Sequence, residues 1–258
     1  GALLAQDGDG NAYNTAVGFE AGVAMTTGTE NTIIGGLAGD ALTTGSQNIA
    51  IGYAALGSED TGSRNIAIGR GALGALNNDA NSYNIGIGHS AGAAVTTGIR
   101  NVLIGGLAGD ALTTGGNNIA IGYEALTTED GDGRNIAIGT NSLQNLNAGA
   151  DAYNVAVGFA SGAAMTTGVQ NTIVGGQAGD ALTTGSYNTV FGYEALTTED
   201  AHGLNTAIGY QTLRVQDAGA NAINVAVGHQ AGLAVTDGVQ NTLIGGLAGD
   251  ALTTGDNN

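Results

Sequence analysis

An asparagine followed by a short β-branched run and a glycine recurs along the whole chain, as in Asn48-Ile-Ala-Ile-Gly52. Successive copies are 17, 17, 17 and 19 residues apart, and this 70-residue cycle then repeats without error. A period this regular is typical of stacked structural repeats, in which each unit contacts mainly its neighbours. The cycles begin at Asn14, Asn84, Asn154 and Asn224. The repeating asparagines are Asn14, Asn31, Asn48, Asn65, Asn84, Asn101, Asn118, Asn135, Asn154, Asn171, Asn188, Asn205, Asn224, Asn241 and Asn258.

Each step, numbered from its asparagine as position 0, predicts one β-strand and one turn. Position 1 is Thr, Ile or Val, position 3 is Val, Ile or Phe, and position 4 is always Gly. Residues of these types favour strands, and a glycine directly after such a run marks a turn. A helix is disfavoured because each glycine costs it about 1 kcal/mol. The sequence therefore predicts an all-β fold, a parallel β-solenoid or β-roll with coils of 17, 17, 17 and 19 residues.

Position 2 of each step is never charged, and in the second step of every cycle it is Ile or Leu. Successive side chains of a strand point to opposite faces, so position 2 lies opposite positions 1 and 3. A strand that is apolar on both faces is buried on both faces. Because a thin coil has room to bury only one of them, we expect positions 1 and 3 to close the coil. Position 2 is then expected to contact a second layer or another chain.

The invariant asparagine and glycine have a structural explanation. Stacked coils place like residues over like, at the inter-strand spacing of about 4.8 Å. Asparagine over asparagine predicts a structural ladder from Asn14 to Asn241, in which side-chain amides hydrogen-bond up and down the stack. Glycine at position 4 predicts a turn with positive φ or a close approach of two backbones.

The composition excludes several classes of protein. Acidic residues number 22 against five arginines, and a net charge of −17 repels nucleic acid and anionic membranes. No apolar run approaches the length of a membrane span, and the first residues lack the basic start of a signal peptide. We therefore expect one repeat domain over residues 1–258, part of a longer fibre, with no nucleic-acid partner and no membrane insertion in this segment.

The motif Asn-x-(Val/Ala)-(Ile/Val)-Gly-x-x-Ala, repeated with Gly-closed turns, resembles the head repeats of YadA-like trimeric autotransporter adhesins. It is also similar to the Asn-Thr-x-Ile-Gly-Tyr-x-Ala-Gly…Thr-Thr-Gly repeats of phage tail fibres and of long surface-fibre proteins of marine bacteria. The resemblance extends over the full chain, because every step carries the motif. It implies a left-handed β-roll with three chains packed around a common axis. The longer coils and the 70-residue cycle depart from YadA-like heads.

The acidic pairs Glu59-Asp60, Glu129-Asp130 and Glu199-Asp200 recur at the same place in each cycle. Two carboxylates close together would suit a glycosidase. These pairs are separated by four coils, however, and their repetition predicts solvated loops. We expect no catalytic residues and no enzymatic activity.

The three histidines do not predict a metal centre. His89 and His229 take the place of Phe19 and Phe159, which indicates an aromatic-like role at the surface. His202 has no cysteine or second histidine nearby in the sequence, so no metal triad is expected there.

Calcium is the one cofactor that the loops favour. Asp7-Gly-Asp-Gly-Asn11 places three oxygen-bearing side chains at alternate positions, with glycines between them, as calcium-binding loops do. Asp130 and Asp132 form a weaker version of this pattern. The calcium candidates are therefore Asp7, Asp9, Asn11, Asp130 and Asp132.

The favoured function is a structural and adhesive fibre segment, the stalk or head of a trimeric adhesin or tail fibre. It predicts a homotrimer that is extracellular, on a cell surface or on a virion appendage, with a cell-surface or glycan receptor as possible partner. One alternative is an ice- or surface-binding solenoid that uses the repeated Thr-Thr pairs, although adjacent residues of a strand point in opposite directions. Another is a subunit of a self-assembling filament or sheath.

Overall fold

The protein is described by a computed structural model, which covers residues 1–6, 11–131 and 133–258. The chain divides into two compact units, Gly1–Asp132 and Gly133–Asn258, and the described part of each contains seven strands of three residues. In the first unit they are β1 Thr15–Val17, β2 Thr32–Ile34, β3 Ile49–Ile51, β4 Ile66–Ile68, β5 Ile85–Ile87, β6 Val102–Ile104 and β7 Ile119–Ile121. In the second they are β8 Ile136–Ile138, β9 Val155–Val157, β10 Thr172–Val174, β11 Thr189–Phe191, β12 Thr206–Ile208, β13 Val225–Val227 and β14 Thr242–Ile244.

Within each unit, every strand pairs in parallel with the strand of the next coil, and equivalent positions lie side by side. Thr15 pairs with Thr32 across a 17-residue step, and Ile66 pairs with Ile85 across a 19-residue step. The two extra residues of the fourth step are therefore accommodated outside the strand. This confirms the predicted parallel β-solenoid with one strand at positions 1 to 3 of each step. Among the described residues there is no helix long and apolar enough to cross a membrane.

The middle residue of each strand points into the coil, and its two neighbours point outward. Ala50 and Leu103 are fully buried, whereas Ile49 and Ile51 are only half-buried. The prediction that positions 1 and 3 close the coil, with position 2 facing a partner, was therefore wrong. The interior is narrow, so it accepts one side chain from each strand and leaves the other two outside.

The interior is filled by residues whose sizes complement each other from coil to coil. Leu103 is bulky, and position 8 of its coil is Gly109, where an added Cβ would lie 2.7 Å from Leu103 Cδ2. Ala50 is small, and position 8 of its coil is Leu56, which is fully buried. Close packing of this kind leaves little room for two large side chains at the same level. Position 2 is therefore apolar because it forms the core.

Each coil turns at several residues in left-handed conformations, and many of these are not glycine. In one coil they are Gln47, Ala54 and Leu56, with φ between 53° and 60°. Such a conformation costs an L residue about 1–2 kcal/mol. The N–H of Gln47 donates to Thr29 O at 2.9 Å, and that of Leu56 donates to Ala72 O at 3.0 Å. These bonds to neighbouring coils offset the local strain, so the turns depend on the stack.

Candidate functional site

The repeating asparagines bind the backbone of the adjacent coil. Asn31 Oδ1 accepts the N–H of Asn48 at 2.9 Å, and Asn31 Nδ2 donates to Gly45 O at 3.0 Å. The side chain is buried, and the same pair of bonds recurs in both units, as at Asn171. Direct contacts between amides also occur, with Asn188 Nδ2 at 3.2 Å from Asn171 Oδ1. The row is chiefly a side-chain-to-backbone ladder. Asn205 is an exception among the described residues, because its buried Nδ2 has no hydrogen-bond partner.

Position 5 of the coils forms an exposed row rich in aromatic residues. In the second unit, the rings of Tyr193 and Tyr210 are stacked with centroids 5.9 Å apart. His229 stacks on Tyr210 at 5.3 Å, so this histidine extends the aromatic row as its sequence position predicted. Stacked rings that keep polar groups at their edges give a flat, amphipathic surface.

In the first unit, the same row forms a shallow groove. The groove is lined by Tyr53, Arg70 and His89, together with Ala54, Gly71 and Ser90. The guanidinium of Arg70 lies 5.9 Å from the centroid of the Tyr53 ring, within the range of a cation–π contact. Aromatic faces beside hydrogen-bond donors can bind a polar, ring-shaped ligand such as a sugar. Sequence reasoning missed this groove because its residues come from three successive coils.

The Thr-Thr pairs are divided between two roles. The hydroxyl of Thr26 donates to Thr43 O at 3.2 Å, and that of Thr96 donates to Thr113 O at 3.2 Å. The second threonine of each pair, such as Thr27 or Thr97, is exposed. In these two pairs one hydroxyl joins adjacent coils and the other residue faces solvent. The pattern is not uniform, because both hydroxyls of Thr183 and Thr184 donate to carbonyls of the next coil, at 2.8 and 3.3 Å. Both Thr166 and Thr167 are exposed.

The calcium candidates are only partly described by the structure. Asp7, Asp9 and Asp132 lie outside the described residues. Asn11 and Asp130 are exposed, and the backbone carbonyl of Asp130 accepts a hydrogen bond from the Thr113 hydroxyl at 2.7 Å. Calcium binding stays a prediction for these five residues.

The prediction that the acidic pairs form solvated loops was wrong for their glutamates, which are fully buried, whereas Asp130 and Asp200 are exposed. The glutamates occupy position 11, where most other coils place an apolar side chain such as Met25 or Leu42. Glu59 Oε1 accepts the N–H of Gly62 at 2.7 Å, and Glu59 Oε2 accepts the N–H of Asn78 at 3.3 Å. Burial raises the pKa of Glu59, and these two N–H groups oppose the rise. The buried glutamates are Glu59, Glu129 and Glu199.

The third of these glutamates belongs to a cluster that sequence reasoning excluded. Glu199, Asp200 and His202 each bring one ligand-type atom to within 4.8 Å of the others. Glu199 Oε1 accepts the backbone N–H of His202 at 3.1 Å and lies 3.3 Å from His202 Nδ1. Burial raises the pKa of Glu199, and the nearby Asp217 carboxylate adds to this, whereas His202 opposes it. The sequence argument against a metal triad at His202 considered only cysteine and histidine as co-ligands, and the structure places two carboxylates beside this histidine.

Two signals in the sequence mark this cluster. Counting from the asparagine places Glu199 at the interior position 11 of its coil. His202 stands at position 14, which is glycine in most other coils, as at Gly62 or Gly185. A polar residue at a core position, followed by a departure from glycine, identifies the cluster once the inward positions are known.

Comparison with known proteins provides no relative for this chain. It matches no protein-family model, no curated protein and no solved structure. The residues and contacts described above therefore carry the functional conclusions.

Proposed function

We propose that the chain is a structural and adhesive segment of a fibre, carried on a cell surface or a virion, and that it works as a homotrimer. The observation that carries this proposal is the outward face of the strands. Positions 1 and 3 form rows of Ile, Val, Thr and Phe that the coil itself only half covers. Phe191 is 56% exposed in a single chain.

A continuous apolar strand face is a typical contact surface between chains. Large exposed apolar patches are rare on monomeric proteins and usually mark an interface. The face is also free of charged residues at every strand position, although the chain has a net charge of −17. Association through this face keeps the acidic loops in water. The proposal of three chains comes from the resemblance to YadA-like heads, and the outward strand face provides the surface through which the chains would associate.

The bonding between coils suits a load-bearing segment. In each unit, every coil is joined to the next by the backbone bonds of the strand and by a buried asparagine. Further bonds come from the turns, such as that from Leu56 N–H to Ala72 O. In such a stack, stability is the sum of similar contributions from every junction between neighbouring coils. This supports a mechanical role.

The row at position 5 supports adhesion. Tyr193, Tyr210 and His229 present stacked rings to solvent, and Tyr53, Arg70 and His89 line a groove in the first unit. Aromatic and arginine side chains are enriched where proteins bind partners. Glycans of a cell surface are the ligand class that this combination fits best.

The oligomeric state tests the first part of the proposal. Sedimentation equilibrium should give three times the chain mass of 25.1 kDa. The double variant Ile51→Asp/Ile121→Asp introduces charge on the outward face and should sediment as a folded monomer. Thr44→Asp/Thr114→Asp adds the same charge at exposed turn positions and should remain trimeric. A monomeric wild-type chain, or a trimer that survives the isoleucine changes, would contradict the proposal.

Glycan binding tests the second part. The trimer should bind a subset of glycans on an array, and Tyr210→Ser should reduce that binding while far-UV circular dichroism stays unchanged. If Tyr210→Ser leaves glycan binding unchanged, the aromatic row is not part of the binding surface. Absence of any binding would leave the segment as a spacer.

A further inference from the structure

We propose that Glu199, Asp200 and His202 bind one divalent transition-metal ion of the zinc type. The three residues lie in a single turn of the second unit, and their ligand-type atoms are within 4.8 Å of one another. This site is separate from the outward strand face and from the aromatic row.

The carboxylate of Glu199 is buried and lacks a full set of partners. Its side chain has no exposed surface, and within the described residues Oε2 has no hydrogen-bond partner. The N–H of Ala218 faces this carboxylate and lowers its pKa, yet it does not reach hydrogen-bonding geometry with Oε2. A buried carboxylate oxygen without a partner is costly, and a cation is one way to satisfy it.

His202 provides a second unsatisfied atom beside it. Among the described residues, His202 Nδ1 is buried and makes no hydrogen bond, and it lies 3.3 Å from Glu199 Oε1. Zinc bonds of about 2.0–2.1 Å hold tetrahedral nitrogen and oxygen ligands about 3.3 Å apart. The observed separation therefore agrees with a shared ion.

The remaining ligand gives the site access to solvent. Asp200 is exposed, and the His202 side chain is 27% exposed, so an ion can enter from this side. Three protein ligands leave a fourth position for water, which is common for zinc. Imidazole together with carboxylate favours zinc or a similar transition metal over calcium, which prefers oxygen ligands alone.

The first cycle of the chain provides an internal comparison. Glu59 occupies the same interior position as Glu199, but both of its oxygens accept backbone N–H groups. Position 14 of that coil is Gly62, so no imidazole is available. The third cycle also places a buried Gln216 where the first has Leu76. The third cycle therefore departs from the repeat at the residues around Glu199. Glu59 is buried and hydrogen-bonded without these changes, so a structural role of the glutamate does not explain them.

Isothermal titration of the metal-free full chain with Zn²⁺ at pH 7 tests the proposal. We expect one ion per chain, and we expect Co²⁺ in the same site to give the visible absorption of a low-coordinate complex. His202→Gly restores the residue usual at position 14, so the fold is maintained, and it should weaken zinc binding more than about tenfold. Glu199→Gln should have a comparable effect.

The control variant is His89→Phe, which removes a histidine outside the cluster and introduces the residue found at the equivalent Phe19. It should bind zinc as the wild type does. Two results would overturn the proposal: no stoichiometric uptake of Zn²⁺ or Co²⁺ by the wild type, or equal affinity in the wild type and His202→Gly. In either case, the contact between Glu199 and His202 is only structural.

Discussion

Replacing the position-4 glycine of one coil should destabilise the stack far more than replacing a glycine that faces open space, such as Gly219 or Gly246. Gly52 has φ of +129°, a conformation that L residues rarely adopt and that costs about 1–3 kcal/mol. A Cβ there would also lie 2.6 Å from Gly69 O in the next coil. Ordinary contact begins near 3.4 Å, so one backbone must move by about 0.8 Å. Overpacking of this kind costs a further 1–3 kcal/mol or so.

The expected loss for Gly52→Ala is therefore about 2–6 kcal/mol. Gly219→Ala separates the two contributions, because Gly219 has φ of +60° but no atom within 4 Å of the added Cβ. It should cost no more than about 1–2 kcal/mol. Gly246→Ala has neither positive φ nor a close contact and should be neutral, or stabilising by roughly 0.4–1 kcal/mol.

Urea denaturation followed by far-UV circular dichroism measures these differences, provided that all variants share one m-value. Amide hydrogen exchange gives a local measurement, since Gly52 N–H donates to Ile34 O and Gly69 N–H to Ile51 O, both at 2.7 Å. Both amides should lose protection in Gly52→Ala. Equal stabilities of Gly52→Ala and Gly219→Ala would refute the claim that coil-to-coil contact dictates this glycine.

Three further predictions concern the interior and the turns. The pKa of Glu59 is raised in the folded state, so its contribution to stability is complete below about pH 4.5 and is lost as pH rises through the folded pKa. Thermal melts should show this decline, and Glu59→Gln should flatten it; an unchanged slope would contradict it. Asn171→Ala leaves the Asn188 N–H and Gly185 O without partners, which should cost about 2–5 kcal/mol in denaturant titrations. Ile223 is β-branched and 47% exposed, and its φ is 55°. Asparagine adopts this left-handed conformation more readily, so Ile223→Asn should raise the free energy of unfolding by up to about 1 kcal/mol. A lower melting temperature of the variant would contradict backbone strain at this position.

The strands and their register were predictable because they depend on local pattern. A β-branched run ended by glycine defines positions 1 to 3, and the constant spacing leaves one way to stack equivalent residues. Ile66 and Ile85 pair across the longer step because the two extra residues fall outside the strand. The left-handed conformations of Gln47 and Leu56 were not predictable, because their side chains give no local preference for positive φ. Bonds from neighbouring coils impose those conformations.

The candidate sites were harder to predict, since each depends on residues from different coils or on which way a side chain points. The groove of Tyr53, Arg70 and His89 draws one residue from each of three coils. Glu199 and His202 were visible in the sequence, but their proximity matters only because Glu199 points inward. From sequence alone, an acidic residue in a polar stretch is expected to be exposed to solvent, and only the structure shows that it is buried.

The sequence by itself determined the parallel β-solenoid, its coil lengths and the position of every strand. These follow from the period of 17, 17, 17 and 19 residues and from the alternation inherent in a strand. Only the tertiary structure decided which strand face is the interior. Both faces are apolar, as at Ala50 and Ile51, so the sequence pattern alone could not show which face is buried inside the coil. The packing of the coil decided between them. The interior accepts one side chain from each strand, at position 2, matched in size by position 8 of the same coil. Positions 1 and 3 remain outside, where a partner chain can cover them.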